Sequence, residues 1–181
     1  HVVVPDTIEN AVKVAQLSYT YPHPLYIRLG RAGIKNSKGK NYDLEIGKGT
    51  ILHEGNDMAI FAIGNMIAPA LQAIDTLKNS GISSTLINMH TLKPLDVELI
   101  RQCVASHKAI FSIEEHSIIG GLGSAVSEVL AECSYGGIFK RIGIPEALDS
   151  KIIGTADYLW QRYGLTAEKI SERIVEAMKG R

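Results

Sequence analysis

The sequence predicts an α/β fold: a three-layer, mostly parallel sheet with one antiparallel edge strand, preceded by a partial βαβ unit. Short apolar runs alternate along the chain with stretches whose apolar residues recur every three or four positions, the pattern of strands alternating with amphipathic helices. Residues 109–132 pass from apolar strand to glycine-rich turn to helix without a gap, which is one crossing of a parallel sheet. Thr50–His53 and residues 58–63 are separated only by Glu54-Gly55-Asn56-Asp57, a spacing that predicts an antiparallel hairpin and hence the antiparallel edge.

Residues 1–4 read as a strand, and Pro5-Asp6 opens a helix in which Asp6 and Glu9 have the spacing of a capping box. Ile8, Ala11, Val12 and Ala15 form its expected buried stripe. Pro22 and Pro24 end this helix, and residues 25–29 form a second strand. The segment 1–30 therefore reads as one βαβ-sized unit, resembling the tail of a larger domain. From Arg31 to residue 49 Gly, Lys, Asn and Ser predominate, as in a linker, broken by a strand candidate at residues 44–46. Residues 50–181 form the second unit.

In that second unit a helix runs over 67–78, with Pro69 in its first turn and Gly81 beyond its end, and a strand over 82–89. Pro94 and Asp96 start a helix with Val97, Ile100, Cys103 and Val104 on its apolar face. The strand from Ala109 leads into Glu114, Glu115 and His116, then into a helix carrying Leu122, Val126, Val129, Leu130 and Cys133. A strand at 139–144 stops at Pro145. Thr166 caps a last helix with Ile170, Ile174, Ala177 and Met178 inward.

Composition narrows the function. Among 181 residues, 19 Lys and Arg balance 19 Asp and Glu, so no basic excess calls for nucleic acid or an anionic membrane surface. No apolar run approaches the ~18 residues of a membrane span. Cys103 and Cys133 fall on apolar helix faces, as small buried hydrophobes do, consistent with a reducing cytoplasmic setting.

Open α/β sheets place ligands beyond the carboxyl ends of their strands. Glu115 and His116 stand there, and so does His90 if its strand neighbours that of His116; the three are candidate anion contacts, with hydrogen-bonded loop residues as the plainer alternative. Gly120, Gly121 and Gly123 precede a helix and offer amides to a phosphate, yet they lack the GxGxxG spacing, and tight turning accounts for them. His23, His53 and His107 read as loop residues.

INMHTLKPLD (87–96), EEHSIIGGLGSAVSEVLAE (114–132), RIGIPEAL (141–148) and YGLTAEKI (163–170), in this order, resemble the carboxy-terminal domain of the transketolase family. YIRLGR (26–31) resembles the end of the preceding pyrimidine-binding domain. The resemblance thus divides the chain into the tail of that domain (1–30), a linker (31–49) and the carboxy-terminal domain (50–181). It is closest to the separately encoded carboxy-terminal subunits of prokaryotes.

What the resemblance implies is two-carbon ketol transfer between phosphorylated sugars in the pentose phosphate pathway, with thiamine diphosphate and magnesium in the complete enzyme. It also implies a homodimer and a cofactor-binding domain or subunit as partner. Arg28 matches the family's arginine for the sugar phosphate, a task suited to a forked, permanently charged guanidinium; Arg31 is a weaker candidate. The family's cofactor-contacting glutamate and metal motif belong to segments this sequence does not contain, so by itself it is expected to be inactive and to bind no cofactor.

The rival within the family resemblance is 1-deoxy-D-xylulose-5-phosphate synthase, whose strand end usually has Tyr-Pro where this chain has Leu29-Gly30. A non-catalytic assembly or anion-binding module is the alternative of another class. After RIGIP, residues 146–151 depart from the aromatic and Gly- or Ser-rich stretch common in relatives.

Overall fold

The structure, a computed structural model, describes residues 1–30, 42–145 and 152–179. Its larger sheet contains β3 (Thr50–His53), β4 (Met58–Ala62), β5 (Ser84–Asn88), β7 (Ala109–Ser117) and β8 (Ile138–Ile144), in the order β3-β5-β4-β7-β8. All neighbours are parallel except β3 and β5. A smaller sheet joins β2 (Tyr26–Ile27), β1 (Val2–Val3) and β6 (Thr91–Lys93); β1 is parallel to β2 across the helix α1 (Ile8–Thr20), which makes the βαβ unit. Because β6 belongs to the second segment, backbone hydrogen bonding ties the two units together.

The period of two along each buried strand decides which side chain enters which core. On β4, Met58, Ile60 and Ala62 face one way, where α2 (Ile67–Asn79) and α6 (Ala167–Lys179) pack, and Leu86 and Phe111 join them. Ala59 and Phe61 face the other way, against α3 (Val97–Ser106) and α4 (Leu122–Glu132), with Ile87 and Ile110. Helices therefore cover both faces, and the fold has the expected three layers. Val3, Val14 and Leu44 form a third, smaller core under the βαβ unit.

The predicted hairpin is not formed. β5 inserts between β3 and β4, so that β3 pairs antiparallel with β5, Ile51 opposite Ile87. The turn itself explains the choice: the Gly55 amide donates to Thr85 Oγ1 (3.0 Å), the Thr85 hydroxyl donates to the Gly55 carbonyl (2.6 Å), and the Asp57 amide donates to the Ser83 carbonyl (2.9 Å). These bonds fasten the turn to the start of β5, and the chain crosses over that strand before continuing as β4.

Two features of α1 also differ from expectation. Thr7, not Asp6, is the N-cap, accepting from the Asn10 amide at 3.0 Å, while Asp6 is turned into the protein. The buried positions on α1 are Asn10 and Val14, and Ile8 and Val12 are half exposed. Residues 44–46 form no strand; Leu44 reaches the small core from irregular backbone. The sequence reading missed β6 and α5 (Ala156–Tyr163), whose Thr155 cap accepts from the Tyr158 amide. Residues 31–41 of the expected linker, with Arg31, and the segment 146–151 lie outside the described residues.

Candidate functional site

Backbone pairing delivers Arg28 to its place. Its amide donates to the Val3 carbonyl at 2.9 Å, extending the β1–β2 pairing by one residue, and the Val4 amide donates to the His90 carbonyl at 2.8 Å. The guanidinium then donates through Nη2 to the Glu115 carbonyl at 3.0 Å, across 87 residues of sequence. Glu115 lies near the carboxyl end of β7, so Arg28 and Glu115 meet at the rim where ligands of open α/β sheets bind.

Both Glu115 carboxylate oxygens are engaged: Oε2 accepts from Asn65 Nδ2 and Oε1 from Trp160 Nε1, each at 3.0 Å. The side chain is a strut between the start of α2 and α5, and its carbonyl orients Arg28. Gly64 allows this close assembly, because at its φ of +57° a Cβ would stand 2.7 Å from Val4 Cγ1. Arg28, Glu115, Asn65 and Val4 border a hollow of about 20 Å³, room for about one water.

The glycine turn has a different use. Glu114 is buried, and its Oε2 and Oε1 accept from the Leu122 and Gly123 amides at 2.7 and 2.8 Å. Its own carboxylate thus takes the anion position at the start of α4. Burial raises its pKa, opposed by those two amides and by the nearby charges of His116 and Arg141.

His90 and His116 are not brought together. β4 separates β5 from β7 in the sheet, and the two imidazoles have separate partners. His116 is exposed, with Nδ1 2.9 Å from the Ser117 carbonyl. His90 is fully buried, with Nδ1 3.1 Å from Thr91 Oγ1 and its ring stacked on Tyr42 at a centroid separation of 6.1 Å. Tyr42 donates to Asp6 Oδ1 at 2.6 Å and accepts from Asn88 Nδ2, so that Asp6, Tyr42, Asn88 and His90 form a buried polar cluster. Burial pushes the His90 pKa down to about 4, with Asp6 opposing. The sequence reading missed Asn65, Trp160, Tyr42 and Asp6 as parts of these networks.

Burial also pushes the Cys103 thiol up to about 11, in keeping with a packing role. Among the described residues no group of three His, Cys, Asp or Glu side chains is placed to hold a metal ion. None of the described helices is long and apolar enough to cross a membrane.

Fold and site together define an auxiliary α/β domain. It holds Arg28 on the Glu115 carbonyl at the carboxyl end of β7, while the Glu114 carboxylate accepts from the first amides of α4. The chain belongs to the transketolase family: residues 47–170 match the transketolase C-terminal domain. A Methanocaldococcus jannaschii protein described provisionally as a transketolase C-terminal section is 38% identical over 180 residues, covering 98% of this chain and 55% of that protein. The 1-deoxy-D-xylulose-5-phosphate synthase of Dictyoglomus thermophilum is 36% identical over 188 residues, covering 98% of this chain and 30% of the synthase. Among solved structures, a split-gene transketolase described as an inactive beta4 tetramer superposes with a TM-score of 0.87 at 36% identity, covering 97% of this chain and 57% of that one. The chain spans about half the length of these transketolase relatives.

Proposed function

We propose that the chain supplies the carboxy-terminal portion of a thiamine-diphosphate-dependent transketolase, assembling with a cofactor-binding partner and presenting Arg28 to the phosphate of a sugar substrate. The observation that carries this reading is the Arg28 guanidinium, held by one of its nitrogens on the Glu115 carbonyl, its remaining donors without another acceptor among the described residues. The division into residues 1–30, 31–49 and 50–181 belongs to the same reading. So do homodimer formation and a cytoplasmic place in the pentose phosphate pathway.

The residues described do not fit the cofactor. The amides of Leu122 and Gly123 at the start of α4 are taken by Glu114, and no metal-ligating set accompanies them among the described residues. Thiamine diphosphate and magnesium are therefore assigned to the partner, and the chain alone is expected to show no tight binding of the cofactor in a calorimetric titration.

Assembly has its own support. Ile8, Val12 and Tyr19 recur along α1 on its exposed side, an apolar stripe of the kind that marks an interface. Replacing Ile8 and Val12 together by glutamate is expected to leave the chain folded and to weaken assembly by about tenfold or more. Sedimentation with and without the partner reads this, and an unchanged assembly equilibrium removes α1 from the interface.

The functional test is reconstitution with the cofactor-binding domains or subunit, followed by assay of xylulose-phosphate consumption. Arg28→Ala is expected to lower kcat/KM about tenfold to a hundredfold, since the lost contact is a charge-assisted hydrogen bond to phosphate. With an unphosphorylated ketose donor the same substitution should have little effect. Equal kinetics for both forms on the phosphorylated donor would reject the phosphate role. The synthase reaction in place of ketol transfer would move the chain to the rival branch of the family, and no activity with a competent partner would leave it an assembly module.

A further inference from the structure

We propose that the cleft between β8 and the helices α5 and α6 is a second anion site, one that takes a small polyanion carrying two phosphate-type groups. Three elements line it: Arg141 comes from β8, Arg162 from the last turn of α5, and Lys169 and Arg173 from one face of α6, while Lys140, which alternates with Arg141 along the strand, lines only an adjoining hollow. The spacing of four between Lys169 and Arg173 stacks them along the helix. Glu176 is the one acidic side chain in the lining among the described residues, and Glu172, paired with Lys169 at 2.7 Å, and Glu168 stand beside it on α6.

Because the whole chain has equal numbers of acidic and basic side chains, this is a local concentration of charge rather than a generally basic surface. The cleft is an open groove with room for about 600 Å³, and a neighbouring hollow of about 300 Å³ shares Arg141 and Arg173 with it. That is the size range of small-ligand sites.

Partner accounting points the same way. Arg141 spends one nitrogen on the Ile118 carbonyl at 2.7 Å, which fixes its direction, and its charge also acts on Glu114, so Arg162 and Arg173 are the more available cations. Neither Arg162 nor Arg173 has a carboxylate within ion-pair distance among the described residues. Surrounding protein partly strips Arg173 of water and lowers its pKa, a cost that an incoming anion would offset. Guanidinium forks from two helices and a strand suit phosphate oxygens approached from different sides. The cleft shares no lining residue with the Arg28 hollow.

Inorganic pyrophosphate is a suitable probe for titration of the chain by calorimetry, in parallel with single phosphate and with poly-uridylate. Saturable binding of pyrophosphate, tighter than that of single phosphate and weakening as salt rises, is the expected result. The double variant Arg162→Gln, Arg173→Gln is expected to weaken it about tenfold or more, Glu176→Gln to strengthen it slightly, and Arg28→Ala to leave it unchanged.

Circular dichroism and thermal melting check that each variant is folded, and Arg162→Gln alone serves if the double variant is not. No saturable binding, equal affinity in a folded Arg162 variant, or loss of binding through Arg28→Ala alone would overturn the site. So would binding of poly-uridylate without binding of pyrophosphate. Failure of Arg28→Ala to alter ketol transfer bears only on the rim arginine and leaves this cleft intact.

Discussion

Glu114→Ala is expected to destabilise the chain by about 3 kcal/mol, with a smaller loss for Glu114→Gln. The carboxylate is 1% exposed and accepts from two backbone amides at the start of α4, Leu122 and Gly123. Truncation to alanine leaves both donors without their acceptor in a buried place, and a cavity beside them. Glutamine keeps one carbonyl oxygen and restores one bond, while its amide group meets the other amide donor to donor. Urea titration at neutral pH reads the order wild type, Gln, Ala in the midpoints; equal midpoints would mean that water replaces the carboxylate freely.

A companion substitution approaches the same contact from the other side. A Cβ at Gly121 would lie 1.9 Å from Glu114 Oε2, so Gly121→Ala must displace the carboxylate and should lose stability comparably. Combined with Glu114→Ala it should add less, because only the 3.0 Å approach to Nδ1 of the exposed His116 then remains.

This contact shows why part of the site was legible in sequence and part was not. The strand, glycine turn and helix of residues 109–132 announced themselves through apolar periodicity, and the place of Glu114 to His116 at the carboxyl rim followed from topology alone. Which carboxylate turns inward depends on the strand's period of two as it leaves the sheet. β7 runs on to Ser117, so Glu114 and Glu115 belong to the strand and point to opposite sides, one to the α4 amides and the other to Asn65 and Trp160. Arg28 was visible as a residue, but its hold on the Glu115 carbonyl is a contact between segments that no local pattern encodes.

The misread hairpin has the same cause. A four-residue turn between two strands favours local pairing, whereas bonds from Gly55 to Thr85, thirty residues on, and from Asp57 to Ser83 redirect the chain. α1 misled in a more informative way. The periodicity of Ile8, Val12 and Ala15 is real, yet within this chain Asn10 and Val14 are the side buried, and the apolar stripe faces outward. A pattern that reads correctly as hydrophobic need not be covered by the chain that carries it. The polar cluster around Tyr42 was hidden for another reason: Asp6 had a satisfactory local explanation as a helix cap, and nothing nearby in sequence suggested that Thr7 would take that role.

The polar cluster carries the clearest expected pH dependence. In the unfolded chain His90 titrates near its ordinary value of 6.5, whereas in the folded chain burial holds it down near 4, against a smaller pull from Asp6. A base with a depressed folded pKa binds more protons when unfolded, so its stabilising contribution is present above pH 6.5 and disappears as pH falls toward 4. Between pH 7 and pH 4 the loss from this one group is about 3 kcal/mol. Urea midpoints measured across that interval should therefore fall more steeply for the wild-type chain than for His90→Phe, which keeps an aromatic ring against Tyr42 and cannot take up a proton. The difference in slope is the readout, so a lower absolute stability of the variant at neutral pH does not spoil the comparison. Parallel slopes would place the acid sensitivity elsewhere and leave His90 protonated or neutral at little cost. Tyr42→Phe tests the same cluster at neutral pH: it removes the hydroxyl that bridges Asp6 and Asn88. Stability at pH 7 should then fall by about 1 to 2 kcal/mol, the cost of leaving buried polar groups without their shared partner.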